Sequence, residues 1–146
     1  MSQSEEARGQ GWRTLAALQA RIEDRIGRAL QSEHDLSVNE FCVLHRLGGP
    51  EGRHLRMQEL ASVLVLSQSA TTRLVTRLEK RGLLRRVLSE EDRRGIYAEA
   101  TEQGRALLAE AAPTHNAALQ NALDEAAEQP DMKALVDALA TLSLKV

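Results

Sequence analysis

Between Trp12 and Leu30 the apolar side chains Leu15, Leu18, Ile22, Ile26 and Leu30 return every third or fourth residue, the period of one face of an α-helix. Arg21, Glu23, Asp24, Arg25 and Arg28 fill the other faces, so the stretch reads as a long amphipathic helix behind a polar first ten residues. Ser37-Val38-Asn39-Glu40 has the form of a capping box, in which the serine caps a helix start and the glutamate reaches back to it. It opens a second helix with Phe41, Leu44 and Leu47 inward, stopped by Gly48-Gly49-Pro50. Residues 50–55 read as a loop. Arg56–Leu64 is a short third helix with Met57, Leu60, Ala61 and Leu64 on its apolar side. Val65-Leu66 makes a turn, Ser67 is a natural N-cap, and Ala70, Leu74 and Leu78 set one face of a fourth helix that Gly82 ends.

The period then changes. Leu83–Leu88 and Gly95–Ala100 are strand-length runs around the charged tip Ser89-Glu90-Glu91-Asp92-Arg93-Arg94, which predicts a hairpin. A long alanine- and leucine-rich helical region begins at Thr101, and Pro113 is expected to kink or divide it. Gln129-Pro130-Asp131 marks a break before a last helix, Met132–Leu144, with Leu135, Val136, Leu139 and Leu142 on one side. The fold class is mainly α with a small β-hairpin: a winged helix-turn-helix lobe over residues 36–104 and a helical region formed by 1–35 and 105–146. The terminal helices are apolar on one stripe, so they are expected to pack on each other and to pair with a second copy of the chain.

Charge sharpens this division. The net charge is −2, but residues 53–94 hold ten Lys/Arg against five Asp/Glu, a balance of +5, while residues 1–52 balance at −2 and 95–146 at −5. The positive charge coincides with the short helix pair and hairpin, as expected if that segment alone meets a polyanion. A helix of this size fits the major groove of double-stranded DNA. The side chains near the start of the fourth helix are Ser67, Gln68, Ser69, Thr71, Thr72 and Arg73, with Arg77 one turn on. Glutamine can pair with adenine, arginine with guanine, and threonine methyls with thymine, while hydroxyls suit phosphates. Ser67 reads first as a helix cap. At the hairpin tip Asp92 can hold Arg93 or Arg94, and an arginine on a narrow projection suits the minor groove. The plainer alternative is a surface ion pair with no further role.

These residues together resemble the MarR family of bacterial winged-helix regulators. The resemblance is carried by Leu36-Ser37-Val38-Asn39-Glu40-Phe41, Met57-Gln58-Glu59-Leu60-Ala61, Ser67 to Val75 leading into Leu78-Glu79-Lys80-Arg81-Gly82-Leu83, Asp92-Arg93-Arg94-Gly95-Ile96-Tyr97-Ala98, and Thr101-Glu102-Gln103-Gly104. Trp12-Arg13 and Pro113 with His115 are also of the family's kind, and Ala100 departs from it by being small. The resemblance implies a triangular homodimer whose terminal helices form the dimerisation region and whose two lobes read a pseudo-palindromic operator. It implies that Asp92 orients the wing and Arg94 enters the minor groove. It further implies a repressor released by a small phenolic or lipophilic ligand, for which Trp12, Arg13, His34 and His45 are candidate pocket residues.

Other classes find less support. His34, His45, His54 and His115 show no metal-ligand spacing, and there is no nucleophile motif or phosphate-binding glycine loop. No enzyme, catalytic residue, metal or cofactor is expected. Some members of the family sense oxidants through a cysteine, and Cys42 is the candidate for such a role, although a lone cysteine is more often inert. A winged-helix module that binds protein instead of DNA is the other alternative, against which Arg73, Arg77 and Arg94 argue. The single cysteine, a polar N-terminus without an apolar signal core and the absence of any apolar run of roughly 18 residues point to a soluble cytoplasmic protein.

Overall fold

The computed structural model describes residues 2–49, 54–88 and 95–142. Its elements, in chain order, are α1 (Gln3–His34), α2 (Val38–Gly48), β1 (Leu55–Arg56), α3 (Met57–Leu64), α4 (Gln68–Lys80), β2 (Leu84–Leu88), β3 (Ile96–Ala100), α5 (Glu102–Ala127) and α6 (Pro130–Leu142). The chain divides into two compact units, residues 1–29 with 114–146 and residues 30–113.

In the first unit Leu18, Ala126 and Met132 are buried together, with Ile22, Leu135 and Val136 packed against them. Arg25 and Glu125 form an ion pair between α1 and α5. Several apolar side chains of this unit face outward: Trp12 is 66% exposed, Leu142 63%, Leu15 43% and Leu139 37%. The expected stripe of α1 is therefore covered at Leu18 and Ile26 but open at Leu15. The helix also starts earlier than the apolar period indicates. Ser2 and Glu5 make a capping box of their own, with the Ser2 N–H donating to Glu5 and the Glu5 N–H to the Ser2 hydroxyl, which offsets the lack of buried contacts there.

The second unit is the helix-turn-helix lobe. The capping box at α2 forms as expected: the Glu40 N–H donates to Ser37 Oγ at 3.1 Å and the Ser37 N–H to Glu40 Oε1 at 2.9 Å. Phe41, Leu44 and Leu47 are buried, joined by Val43, and α2 packs on α3, α4 and β3. The β structure is larger than a hairpin. β2 and β3 pair antiparallel from Leu84↔Ala100 to Leu88↔Ile96, and β1 adds to the other edge of β3 through Leu55↔Ala98 and Arg56↔Tyr97. Arg56 thus belongs to a strand and not to the third helix. Pro113 does not divide α5, which runs through it; Pro113 and Ala109 both lie at exposed positions, where water can bind the carbonyl that the missing N–H leaves unpaired.

The two helices of the motif end in the same way with different residues. At the end of α4 the Leu83 N–H reaches the Leu78 carbonyl and the Gly82 N–H the Glu79 carbonyl, a Schellman motif with Gly82 left-handed at φ +76°. At the end of α3 the Leu66 and Val65 N–H groups make the equivalent bonds to Ala61 and Ser62, but the left-handed residue is Val65 at φ 56°. A β-branched side chain there is strained, and Val65, at 88% exposed, recovers almost no burial. Beyond β3, Gly104 presses on the residue that precedes β2: a Cβ on it would lie 2.1 Å from the Leu83 carbonyl oxygen. Thr101 closes this joint, its hydroxyl donating to the Gly82 carbonyl and accepting from the Gly104 N–H.

Val65→Gly should raise the unfolding free energy by about 1 kcal/mol by relieving the left-handed strain. Urea denaturation checks this; an unchanged or lowered midpoint would show that Val65 is not strained in the folded chain.

Candidate nucleic-acid interface

α4 has two chemically distinct sides. Thr71, Leu74, Val75 and Leu78 are buried: the expected Leu74 and Leu78 face the core, while Thr71 and Val75 join them and Ala70 is only half-buried. Thr71 faces the core with 1% of its surface exposed, and its hydroxyl donates to the Ser67 carbonyl at 2.9 Å. This corrects its placement among the groove-facing residues: a threonine whose hydroxyl is bonded one turn back can serve as a core residue. Ser67 caps the helix, its Oγ accepting from the Ala70 N–H at 3.1 Å, and lies 3.2 Å from the Ser69 hydroxyl. Gln68, Ser69, Thr72, Arg73, Arg77 and Lys80 are exposed.

The arginines of this lobe separate by what they touch. Arg81 donates to the Asp35 carbonyl at 2.8 Å and to Glu40 Oε2 at 3.3 Å. Arg85 pairs with Glu99 across the sheet. Arg86 pairs with Glu79 at 3.0 Å and donates to the Thr76 hydroxyl at 2.7 Å, tying β2 to α4. Among the described residues Arg73, Arg77 and Lys80 form no ion pair. They line a groove of about 670 Å³ on one side of α4, together with Ser37 and Asn39 at the start of α2. On the other side lies a smaller groove of about 270 Å³ with Arg56, Met57, Gln58, Gln68 and Thr72 in its wall and Gly95-Ile96 at the base of the wing. Thr72 borders both grooves, so α4 stands as a ridge between them.

Asn39, Arg56, Gln58 and Lys80 are absent from the candidate residues drawn from the sequence. A two-residue strand gives no alternation to read, and Asn39 reaches the groove only through tertiary packing. Asp92, Arg93 and Arg94 lie outside the described residues; the strands leading to them are in place. Trp12 and Arg13 lie in the first unit and His34 and His45 in the second. Arg13 donates to Gln10, His45 stacks on Phe41 with ring centroids 6.1 Å apart, and His34 is half-buried, 3.8 Å from Glu33. Cys42 is half-buried on α2. Among the described residues no group of three or more His, Cys, Asp or Glu could hold a metal ion, and no helix is long and apolar enough to cross a membrane.

The sequence profile of the MarR family matches residues 34–95. The HTH-type transcriptional regulator MhqR of Bacillus subtilis is 31% identical over 108 residues, covering 74% of this chain and 72% of its own length. This chain belongs to the MarR family. The transcriptional repressor MprA of Escherichia coli K12 is 31% identical over 102 residues, 68% of this chain and 56% of that protein. The chain spans little more than half the length of several such relatives, from 53% to 56%. Among solved structures, the MarR family regulator Sco3205 of Streptomyces coelicolor, crystallised with DNA, superposes with a TM-score of 0.77 at 28% identity, covering 99% of this chain and 89% of that one. The relatives of this MarR-family chain are transcriptional regulators and not enzymes.

Arg81→Met would leave the buried Glu40 carboxylate short of a cation and the Asp35 carbonyl short of a donor. The expected loss is about 1–3 kcal/mol of stability, read from urea unfolding; a parent-like midpoint would show that this tie does not hold the lobe together.

Proposed function

We propose that this chain is a sequence-specific, DNA-binding transcriptional regulator. The observation that carries this reading is the exposed side of α4, where Arg73, Arg77 and Lys80 make no ion pair among the described residues while neighbouring arginines are engaged. Cations left unpaired on a helix that stands as a ridge suit phosphate contact and base readout. The lobe over residues 36–104 reads one half-site. The helical region of residues 1–35 and 105–146 joins two copies on a pseudo-palindromic operator, a role supported by outward-facing Trp12, Leu15, Leu139 and Leu142, since exposed apolar clusters favour association. Gln68, Ser69, Thr72 and Arg73 face base edges, with Ser67 and Arg77 on the backbone. Asp92 orients the wing, with Arg93 beside it, and Arg94 enters the minor groove. The output is repression, relieved by a small phenolic or lipophilic ligand, a role that rests on the family resemblance.

The test is retardation of DNA from upstream of the chain's own gene, against a scrambled duplex of equal length. Selective retardation that weakens steeply as salt rises is expected; absence of any salt-dependent retardation would sink the reading. Arg73→Ala and Arg94→Ala should each weaken binding about tenfold, the loss of one charged contact, while sedimentation still shows a dimer. Parent-like affinity in either variant would remove that residue from the interface.

A further inference from the structure

The two grooves beside α4 have different walls, and the smaller one carries a cation that neither the sequence reading nor the proposed function uses. Resting on the DNA-binding reading above, we propose that Arg56 is a further DNA-contact residue. Its guanidinium, positioned by the Tyr97 hydroxyl, takes a phosphate of the strand on the wing side of α4. Arg77 and Lys80 face the backbone of the opposite strand.

A helix seated in the major groove, about 12 Å wide, has a sugar–phosphate ridge on each side. Each hollow flanking α4 must then receive one backbone. The larger groove is supplied with Arg77 and Lys80 for its backbone. The smaller has Arg56 beside the amide of Gln58, a cation with a neutral donor that suits a phosphodiester. Arg56 and Tyr97 are register partners on β1 and β3, so their side chains lie next to one another on one face. Arg56 Nε donates to Tyr97 Oη at 3.0 Å, its guanidinium carbon lies 5.5 Å from the ring centroid, and His54 packs edge-on to that ring at 5.0 Å. This restraint removes rotamer freedom before DNA arrives, so less entropy is lost on contact.

Helix α3 does not account for the arginine. Arg56 occupies the N-cap of α3 and makes no side-chain cap bond. Ser, Thr, Asp or Asn would serve a cap better, and a cation opposes the helix dipole at that end.

The experiment is a fluorescence anisotropy titration of the full chain across a salt series. The probes are a duplex of about 30 base pairs from the retarded upstream DNA, long enough for two half-sites, and its scrambled counterpart. Arg56→Ala should weaken binding about tenfold on both duplexes and lower the slope of log affinity against log salt by about one, as for a lost phosphate contact. Tyr97→Phe should weaken binding less and leave the slope unchanged, because the charge remains. Gln58→Glu, at an exposed position, should weaken binding at low salt with a deficit that shrinks as salt rises. A parent-like slope in Arg56→Ala would overturn the assignment whatever the affinity, as would parent-like binding of Gln58→Glu. A parent protein without salt-dependent binding would instead overturn the DNA-binding reading itself.

Discussion

Glu40 is 8% exposed, and its two carboxylate oxygens are bonded in different directions, one by the Ser37 N–H and the other by Arg81. A buried carboxylate is tolerated only when it is satisfied, so this one admits a single arrangement of its neighbours. Ser37 starts α2, and Arg81 follows the last residue of α4. Arg81 also holds the carbonyl of Asp35, which follows α1. Three segments therefore converge on one side chain, and the pitch of α4 in the lobe is set from its far end. Arg86 restrains the same helix from the sheet side through Glu79 and Thr76. Neither tie uses a residue on the exposed face of α4, so that face can vary without loosening its support.

The same division governs charge. In sequence the arginines from 73 to 86 look interchangeable. In the fold Arg81, Arg85 and Arg86 are engaged by acidic partners, and their charge is largely local. Arg73, Arg77 and Lys80 form no ion pair among the described residues and line one side of the α4 ridge. A segment charge of +5 thus conceals arginines committed to acidic partners and cations that are not.

Much of this lobe was legible in the sequence because its signals are local. The Ser37–Glu40 box, the Ser67 cap and the Gly82 stop each depend on a few adjacent residues whose side-chain chemistry satisfies helix ends. Features made by distant partners were not legible. The strand at Leu55-Arg56 is too short to alternate and exists only because β3 supplies its pairing. Val65 does the work usually given to glycine, which no propensity would suggest. Thr71 carries a polar label, yet its hydroxyl is consumed by the turn before it, so the buried stripe is wider than the aliphatic spacing shows. At the N-terminus the Ser2–Glu5 box was available to read, but nothing apolar beside it marked a helix.

The chain has one tryptophan and one tyrosine, and the fold gives one to each unit. Trp12 lies on α1 with two-thirds of its surface open, within the unit formed by residues 1–29 and 114–146. Tyr97 lies on β3 with its hydroxyl bonded to Arg56, in the other. Indole absorbs to longer wavelengths than phenol, so Trp12 can be excited alone, while the phenol emits at shorter wavelength than the indole. The molecule therefore carries two built-in optical reporters: indole emission follows what covers the terminal helices, and the phenol reports on the strand beneath the smaller groove.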